Sequence, residues 1–252
     1  MVLKRIIPCL LIKNGGLVKT LKFKLPKYVG DPINAVKIFS EKEADEIIIL
    51  DIEASKIGKI NFDLIKNIFS ECFVPITYGG GIDSLDKAKK IINLGAEKIC
   101  IQKIFFENKN VVKDIIKHFG SQSVVLSIDI KKNFLGKFKI WNYITNNFYE
   151  TQSLEKFIKE AADLGVGEII LTDVDNEGTQ NGTNKELIKS THNILKIPLI
   201  YNGGIKDLDD IKKTFDAGSH AIGVGSFFVF YGKHRAVLIT YPSDKIKNVI
   251  NE

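Results

Sequence analysis

The chain has no run of 18 apolar residues, and its N-terminus has no signal-type h-region. A membrane-spanning helix and a secretion signal are therefore not expected. Cysteine is scarce: Cys9, Cys72 and Cys100 are too few for a disulfide framework, and each lies in an apolar run. They read as small buried thiols in a reducing, cytoplasmic compartment. The four histidines, His118, His192, His220 and His234, show no ligand spacing, so neither a metal site nor a cofactor is expected. Charge of one sign is not segregated. Lysine and arginine number 36 against 30 acidic residues, a net charge of +6, but the lysines are scattered over helical segments such as 87–90 and 156–159. No basic stripe is interleaved with aromatics, which argues against nucleic acid. The modest excess suits an anionic small substrate or an acidic protein partner.

What is present is a regular alternation. Short β-branched runs at Lys4–Leu11, Glu46–Leu50, Pro75–Tyr78, Lys98–Ile101, Val124–Ile128, Glu168–Thr172, Pro198–Tyr201 and Ala221–Val224 predict strands. Helix-period segments near 33–43, 61–71, 84–94, 108–118, 153–164, 184–193, 207–217 and 243–251 fill the intervals. Strict βα order implies parallel strands with helices outside. With 44% apolar residues in 252, eight such units match a (β/α)8 TIM barrel, an α/β fold, as a single domain over 1–252. An open doubly wound sheet is the alternative.

An internal repeat favours the closed form. VPITYGGGIDSLDKAKKIINLGAEKICIQKIFF from Val74 faces IPLIYNGGIKDLDDIKKTFDAGSHAIGVGSFFV from Ile197, without gaps. The chain thus divides into two half-barrels, about 1–120 and 121–252, and two-fold related sites are expected at the mouth.

In this architecture the functional face lies at the C-terminal ends of the strands. Gly203 and Gly204 follow strand seven, and Gly225 and Ser226 follow strand eight and open an expected short helix. Together they form a phosphate site of free N–H groups and a hydroxyl. The loop after strand six, Asn176-Glu177-Gly178-Thr179 with Asp175 before it, adds another turn with a hydroxyl. The repeat offers a second anion site at Gly80 and Gly81 with Gln102 and Lys103, although Lys103 could equally be a surface lysine. Asp51, Asp129, Asp173 and Asp175 end strands and are placed for proton exchange or, more blandly, for capping loops. Lys19 lies in a long first loop, Asn14–Gly30, read either as a lid or as a plain exposed segment. His234, beside Lys233 and Arg235, is an anion contact or an exposed basic turn. At the opposite face Arg5, Glu46, Lys98 and Glu168 start four strands. They would ring the barrel floor, either as a salt-bridge plug or as a gate.

The motifs RIIPCLLIKNGGLVK, ILDIEAS, YGGGI, FGSQSVV, SID and GEIILTDVDNEGTQNG resemble the cyclase subunit of imidazole glycerol phosphate synthase over nearly the whole chain. The resemblance implies a barrel of the ribulose-phosphate-binding type with two phosphate sites for a phosphorylated substrate. It also implies ammonia from a separate glutaminase subunit docked at the N-terminal face. Arg5, Glu46, Lys98 and Glu168 match that family's charged gate, and Asp129 matches one of its two catalytic aspartates. Lys19 and Asp51 match residues of the substrate site, and Gln122 one near the interface.

The departures are equally specific. The second catalytic aspartate aligns with Leu11, which cannot move a proton. An Asn-Thr pair at the second phosphate has become Gln102-Lys103, and the tail from Phe228 to Pro242 is divergent. In these features the chain is similar to the paralogues associated with acetamidino-sugar assembly, which work beside a third, sugar-amidating protein. Three functions follow. One is ammonia-channelling synthesis of amidino sugars for surface glycans. The others are ring closure in histidine synthesis and a non-catalytic scaffold.

Overall fold

The computed structural model describes residues 3–150, 153–244 and 246. Eight parallel strands form the wall: β1 Arg5–Lys13, β2 Ile47–Asp51, β3 Ile76–Gly79, β4 Lys98–Ile101, β5 Val124–Lys132, β6 Glu168–Asp173, β7 Leu199–Asn202 and β8 Ala221–Val224. Each pairs with the next, and β8 pairs back to β1, Arg5 opposite Ala221. The sheet is a closed (β/α)8 barrel, not an open doubly wound one.

Outside lie α1 Pro32–Glu41, α2 Phe62–Ser70, α3 Leu85–Asn93, α4 Lys109–Phe119, α5 Leu154–Leu164, α6 Lys185–His192 and α7 Leu208–Asp216. Most of the eighth expected helix, 243–251, lies outside the described residues. Side-chain caps start the helices. Asp31 accepts from Ile33 N, with Pro32 inside the first turn of α1, and the repeat-related Ser84 and Asp207 cap α3 and α7. The helices bury Phe39, Ile65, Ile91, Ile115, Phe157, Leu187 and Ile211 against the outward strand residues, which makes the main core.

The period-two pattern puts a second, smaller apolar layer inside the barrel. Ile7, Cys9, Ile48, Cys100, Val125, Ile170, Ile200 and Ala221 compose it. Below this collar stand the charges that start the strands, and above it opens the mouth.

Two features depart from the sequence reading. The first loop is not irregular. Gly16–Leu21 and Lys24–Gly30 form an antiparallel hairpin, and Gly16–Leu21 also pairs with the top of β1. Likewise β5 runs on past the barrel and turns back as Phe138–Asn142, which pairs in turn with Asn147–Phe148. β1 and β5 stand opposite each other, so the mouth is roofed from two sides. After β8 the expected short helix is only a 3-10 turn, Ser226–Phe228.

Candidate active site at the barrel mouth

A cavity of about 570 Å³ opens at the C-terminal ends of the strands. It is lined by Lys19, Asp51, Gly80, Gly81, Gln102, Lys103, Asp129, Gly178, Gly203, Gly204, Gly225 and Ser226. These come from eight separate segments that the barrel gathers at one rim. Asp175 is not among them. Its carboxylate turns away and accepts from Lys132 N at 2.9 Å. Two residues further on, Glu177 is buried and lines the cavity instead. The turn that does this is tight, with Glu177 N donating to Asp173 O at 2.8 Å. Asp173 also stays outside the cavity and caps that turn, accepting from Asp175 N and from Asn176 Nδ2. Asp51 lines the cavity, but one of its oxygens is committed to Glu53 N and Ala54 N at the start of the short helix Ile52–Ile57.

Asp129 is the carboxyl of the site that burial perturbs most clearly towards neutrality. It is 5% exposed, and Gln102 Nε2 donates to its Oδ2 at 2.8 Å. Burial pushes its carboxyl up to about 7, against the pull of the Gln102 hydrogen bond, and the nearby Glu177 charge adds to the rise. A carboxyl poised there exchanges protons readily near neutrality. Leu11 lines the same cavity, so one of the two opposed strand ends carries a carboxyl and the other only methyl groups.

Lys19 is not an exposed lysine. It is 4% exposed, and its Nζ donates to Cys9 O at 2.7 Å beneath the hairpin. Burial holds its pKa below the usual lysine range. A Cβ on residue 225 would lie 2.6 Å from that ammonium, so a side chain there would push the ammonium aside. Next to it the Ser226 hydroxyl is buried and has no hydrogen-bond partner. An ammonium, an unpaired hydroxyl and the Gly203–Gly204 turn make a cradle for an anion. At the other end, Gly80 has φ +131°, and a side chain there would collide with the Asp51 carbonyl. Lys103 is half-exposed and sits 3.6 Å from Glu107.

On the floor the four charges close a ring. Arg5 bridges Glu46 and Glu168, and Lys98 Nζ lies 3.1 Å from each of the same two carboxylates. Thr77 Oγ1 donates to Glu46 Oε1 at 2.7 Å, which fills out the acceptor. Gln122 is exposed just ahead of β5, at this same end, and its Nε2 donates to Phe119 O. His234 is exposed in a surface turn, while Arg235 donates to Gly178 O at 3.2 Å. Among the described residues no cluster of three metal-ligating side chains occurs.

The sequence reading named Glu177 only as part of a loop and missed the aromatic side chains Phe23, Trp141 and Tyr143; all four line the cavity. Glu177 stood inside a quoted motif. The aromatics lie in hairpins whose alternation is broken by lysines.

The family model described as histidine biosynthesis protein matches residues 5–235. The chain belongs to the HisF family of histidine biosynthesis proteins. It is 46% identical over 244 residues to a Pseudomonas aeruginosa protein named "Putative imidazole glycerol phosphate synthase subunit hisF2", covering 96% of this chain and 97% of that one. A Leptospira borgpetersenii protein named "Putative imidazole glycerol phosphate synthase subunit HisF" is 45% identical, covering 98% of each chain. A Vibrio vulnificus protein named as subunit hisF3 is 43% identical, covering 98% of this chain and 96% of that one. The chain is thus a HisF-type subunit, and two of these relatives carry the numbered names hisF2 and hisF3.

Proposed function

We propose that this HisF-type subunit adds ammonia, released by a glutaminase docked on the barrel floor, to a phosphate-bearing substrate held at the mouth. It would act in a reducing, cytoplasmic compartment, on the route to amidino sugars of surface glycans, with a third protein amidating the sugar. Gly203, Gly204, Gly225 and Ser226 hold the substrate phosphate, with Lys19 as counter-charge. Asp129 moves the proton at the reacting carbon–nitrogen centre, and Gln102 orients its carboxyl. Gly80, Gly81 and Lys103 take the far end of the ligand, where Lys103 acts as a point charge.

One observation carries this reading. Leu11 and Asp129 line the same cavity from opposite strand ends, so only one of the two carries an acid. Imidazole ring closure needs protons placed and removed at two centres, and a leucine serves neither. The buried, unpaired Ser226 hydroxyl supports a ligand anion at the second half's cradle.

The test is ring closure on the bisphosphate imidazole precursor with free ammonia. Turnover is expected at least about 100-fold below an intact cyclase, given the size of a general acid–base contribution. Leu11→Asp is expected to recover little, because Gln102 and Lys103 have also changed the far end. Full turnover in the native chain, or full recovery in Leu11→Asp, would return the protein to histidine synthesis.

A further inference from the structure

Three hairpins stand on the mouth side of the barrel. Residues 14–30 follow β1, residues 131–148 extend β5, and residues 226–242 follow β8, where Phe230–Tyr231 pairs antiparallel with Ala236–Val237. None of the three holds an Asp or a Glu. The first carries four lysines, the second four more, and the third Lys233 and Arg235. These ten basic residues outnumber the net charge of +6, so the rest of the chain is net acidic. Scattered along the sequence, the positive excess is gathered by the fold at one end.

The hairpins form one surface. Phe23 of the first meets Tyr143 of the second edge-on, ring centroids 6.3 Å apart. Lys27 of the first lies 5.4 Å from the Phe230 ring of the third, and the Arg235 guanidinium lies 4.6 Å from the same ring. The first hairpin is also anchored below: Lys22 N donates to Glu177 O at 2.9 Å, and Phe23 N to Glu177 Oε2 at 3.0 Å. On this fixed surface apolar side chains stand in water. Phe134 is 95% exposed, Leu25 79% and Tyr231 68%, and Leu135, Tyr28 and Val237 are exposed as well. Steering of an anionic substrate accounts for the lysines but not for these. Aromatic and aliphatic side chains standing among basic ones are the composition of a protein contact.

Charge and shape narrow the occupant. A second copy of this chain would bring the same positive excess against itself. A bilayer offers every protrusion the same succession of layers. Here the tips differ, since Phe134 and Leu135 are apolar while Gly232, Lys233 and His234 are polar and basic. A folded acidic surface can meet each in its own way. The extent fits too: 25 residues of the three hairpins are exposed, against the roughly 20–30 that a standard interface takes from one side.

We propose that the three mouth hairpins are a docking surface for an acidic protein, which takes Phe134 and Tyr231 into apolar hollows and covers the barrel at the end opposite the floor. The inference goes beyond the proposed reaction and stands whichever ligand the cavity holds.

A photo-crosslinking residue in place of Phe134 or of Tyr231, in the full chain in its own cells, is expected to capture one and the same protein, of net negative charge. Capture only supplies the probe. That protein is then purified and titrated into the native chain by calorimetry. Binding is expected to weaken as salt is added. It should weaken at least about tenfold in Phe134→Asp and in Tyr231→Asp, and stay within about twofold in Phe73→Asp, an exposed position on the floor. The tip variants should melt with the native chain, which shows that they fold. The proposal is overturned if neither position captures a protein, if the captured protein lacks an acidic excess, or if it binds the tip variants as tightly as the native chain. Crosslinks between copies of this chain would overturn it in favour of a dimer. Sedimentation with vesicles of phosphatidylcholine and phosphatidylglycerol, abolished in Phe134→Asp, would overturn it in favour of a membrane.

Discussion

The two halves of this barrel carry the same turns and different endings. Gly80–Gly81 and Gly203–Gly204 correspond, and their first glycines share nearly one conformation, φ +131° and +126°. One strand later the halves part. Where the second half has Gly225 and buried Ser226, the first has Gln102 and half-exposed Lys103. Gln102 spends its amide on Asp129, and Lys103 lies near Glu107, so neither is a vacant anion donor like Ser226. At the opposed strand ends the asymmetry reverses: the first half offers Leu11 and the second Asp129. The comparison teaches that duplication preserves the backbone that turns a strand into a helix. The side chains just beyond it are free to differ: one half leaves a buried hydroxyl unpaired, and the other hydrogen-bonds a carboxyl.

The strongest way to break the comparison is at Asp129. Asp129→Asn is expected to reduce ammonia-dependent product formation by at least about 100-fold in the reconstituted system. Unchanged turnover would mean that the barrel is a scaffold. The same variant has a stability signature. The folded carboxyl is raised to about 7, above its unfolded value, so its protonated form stabilises the fold fully below the unfolded value, and that stability is lost as pH rises through about 7. The amide that replaces it in the variant stays neutral throughout. The variant should therefore melt a few degrees above the native chain at pH 8, with the gap closing towards pH 4. A gap independent of pH would contradict the placement of the carboxyl.

A smaller effect comes from making the second half resemble the first. Gly225→Gln puts a Cβ 2.6 Å from the Lys19 ammonium and a side chain into the cradle. Calorimetry should show inorganic phosphate or ribose 5-phosphate binding at least about tenfold more weakly, the scale of a lost charge-assisted contact. The reciprocal change, Lys103→Ser, should weaken ligand binding only about two- to threefold, and less as salt is added, because that ammonium is screened by water. A larger loss at Lys103 than at Gly225 would invert the assignment of the two ends.

Much of the scaffold was legible in the sequence, for reasons that can be named. Strands such as Glu168–Asp173 are buried on both faces, so they read as unbroken apolar runs between caps. Helix starts at Asp31, Ser84 and Asp207 carry the side chains that cap them. The two hairpins did not read, because Lys24–Gly30 and Phe138–Asn142 interleave lysines with apolar residues on strands that are half in solvent. The burial of Lys19 was invisible for the same reason, since what buries it is the unread hairpin. Asp175 and Glu177 are two carboxylates two residues apart in a turn. Only the turn's geometry decides that the longer one reaches the cavity.

The collar of Ile7, Ile48, Val125, Ile170 and Ile200 between floor and mouth has one more consequence. Hydrocarbon sorts by charge: an ion stripped of water loses several kcal/mol there, and a small neutral amine does not. Were nitrogen to take that route, only the neutral base would cross the collar, and it would reach the upper chamber without an extra proton. No group at the rim then has to deprotonate it before the carbon–nitrogen bond forms. Asp129 would then be left only the protons that the substrate itself gives up.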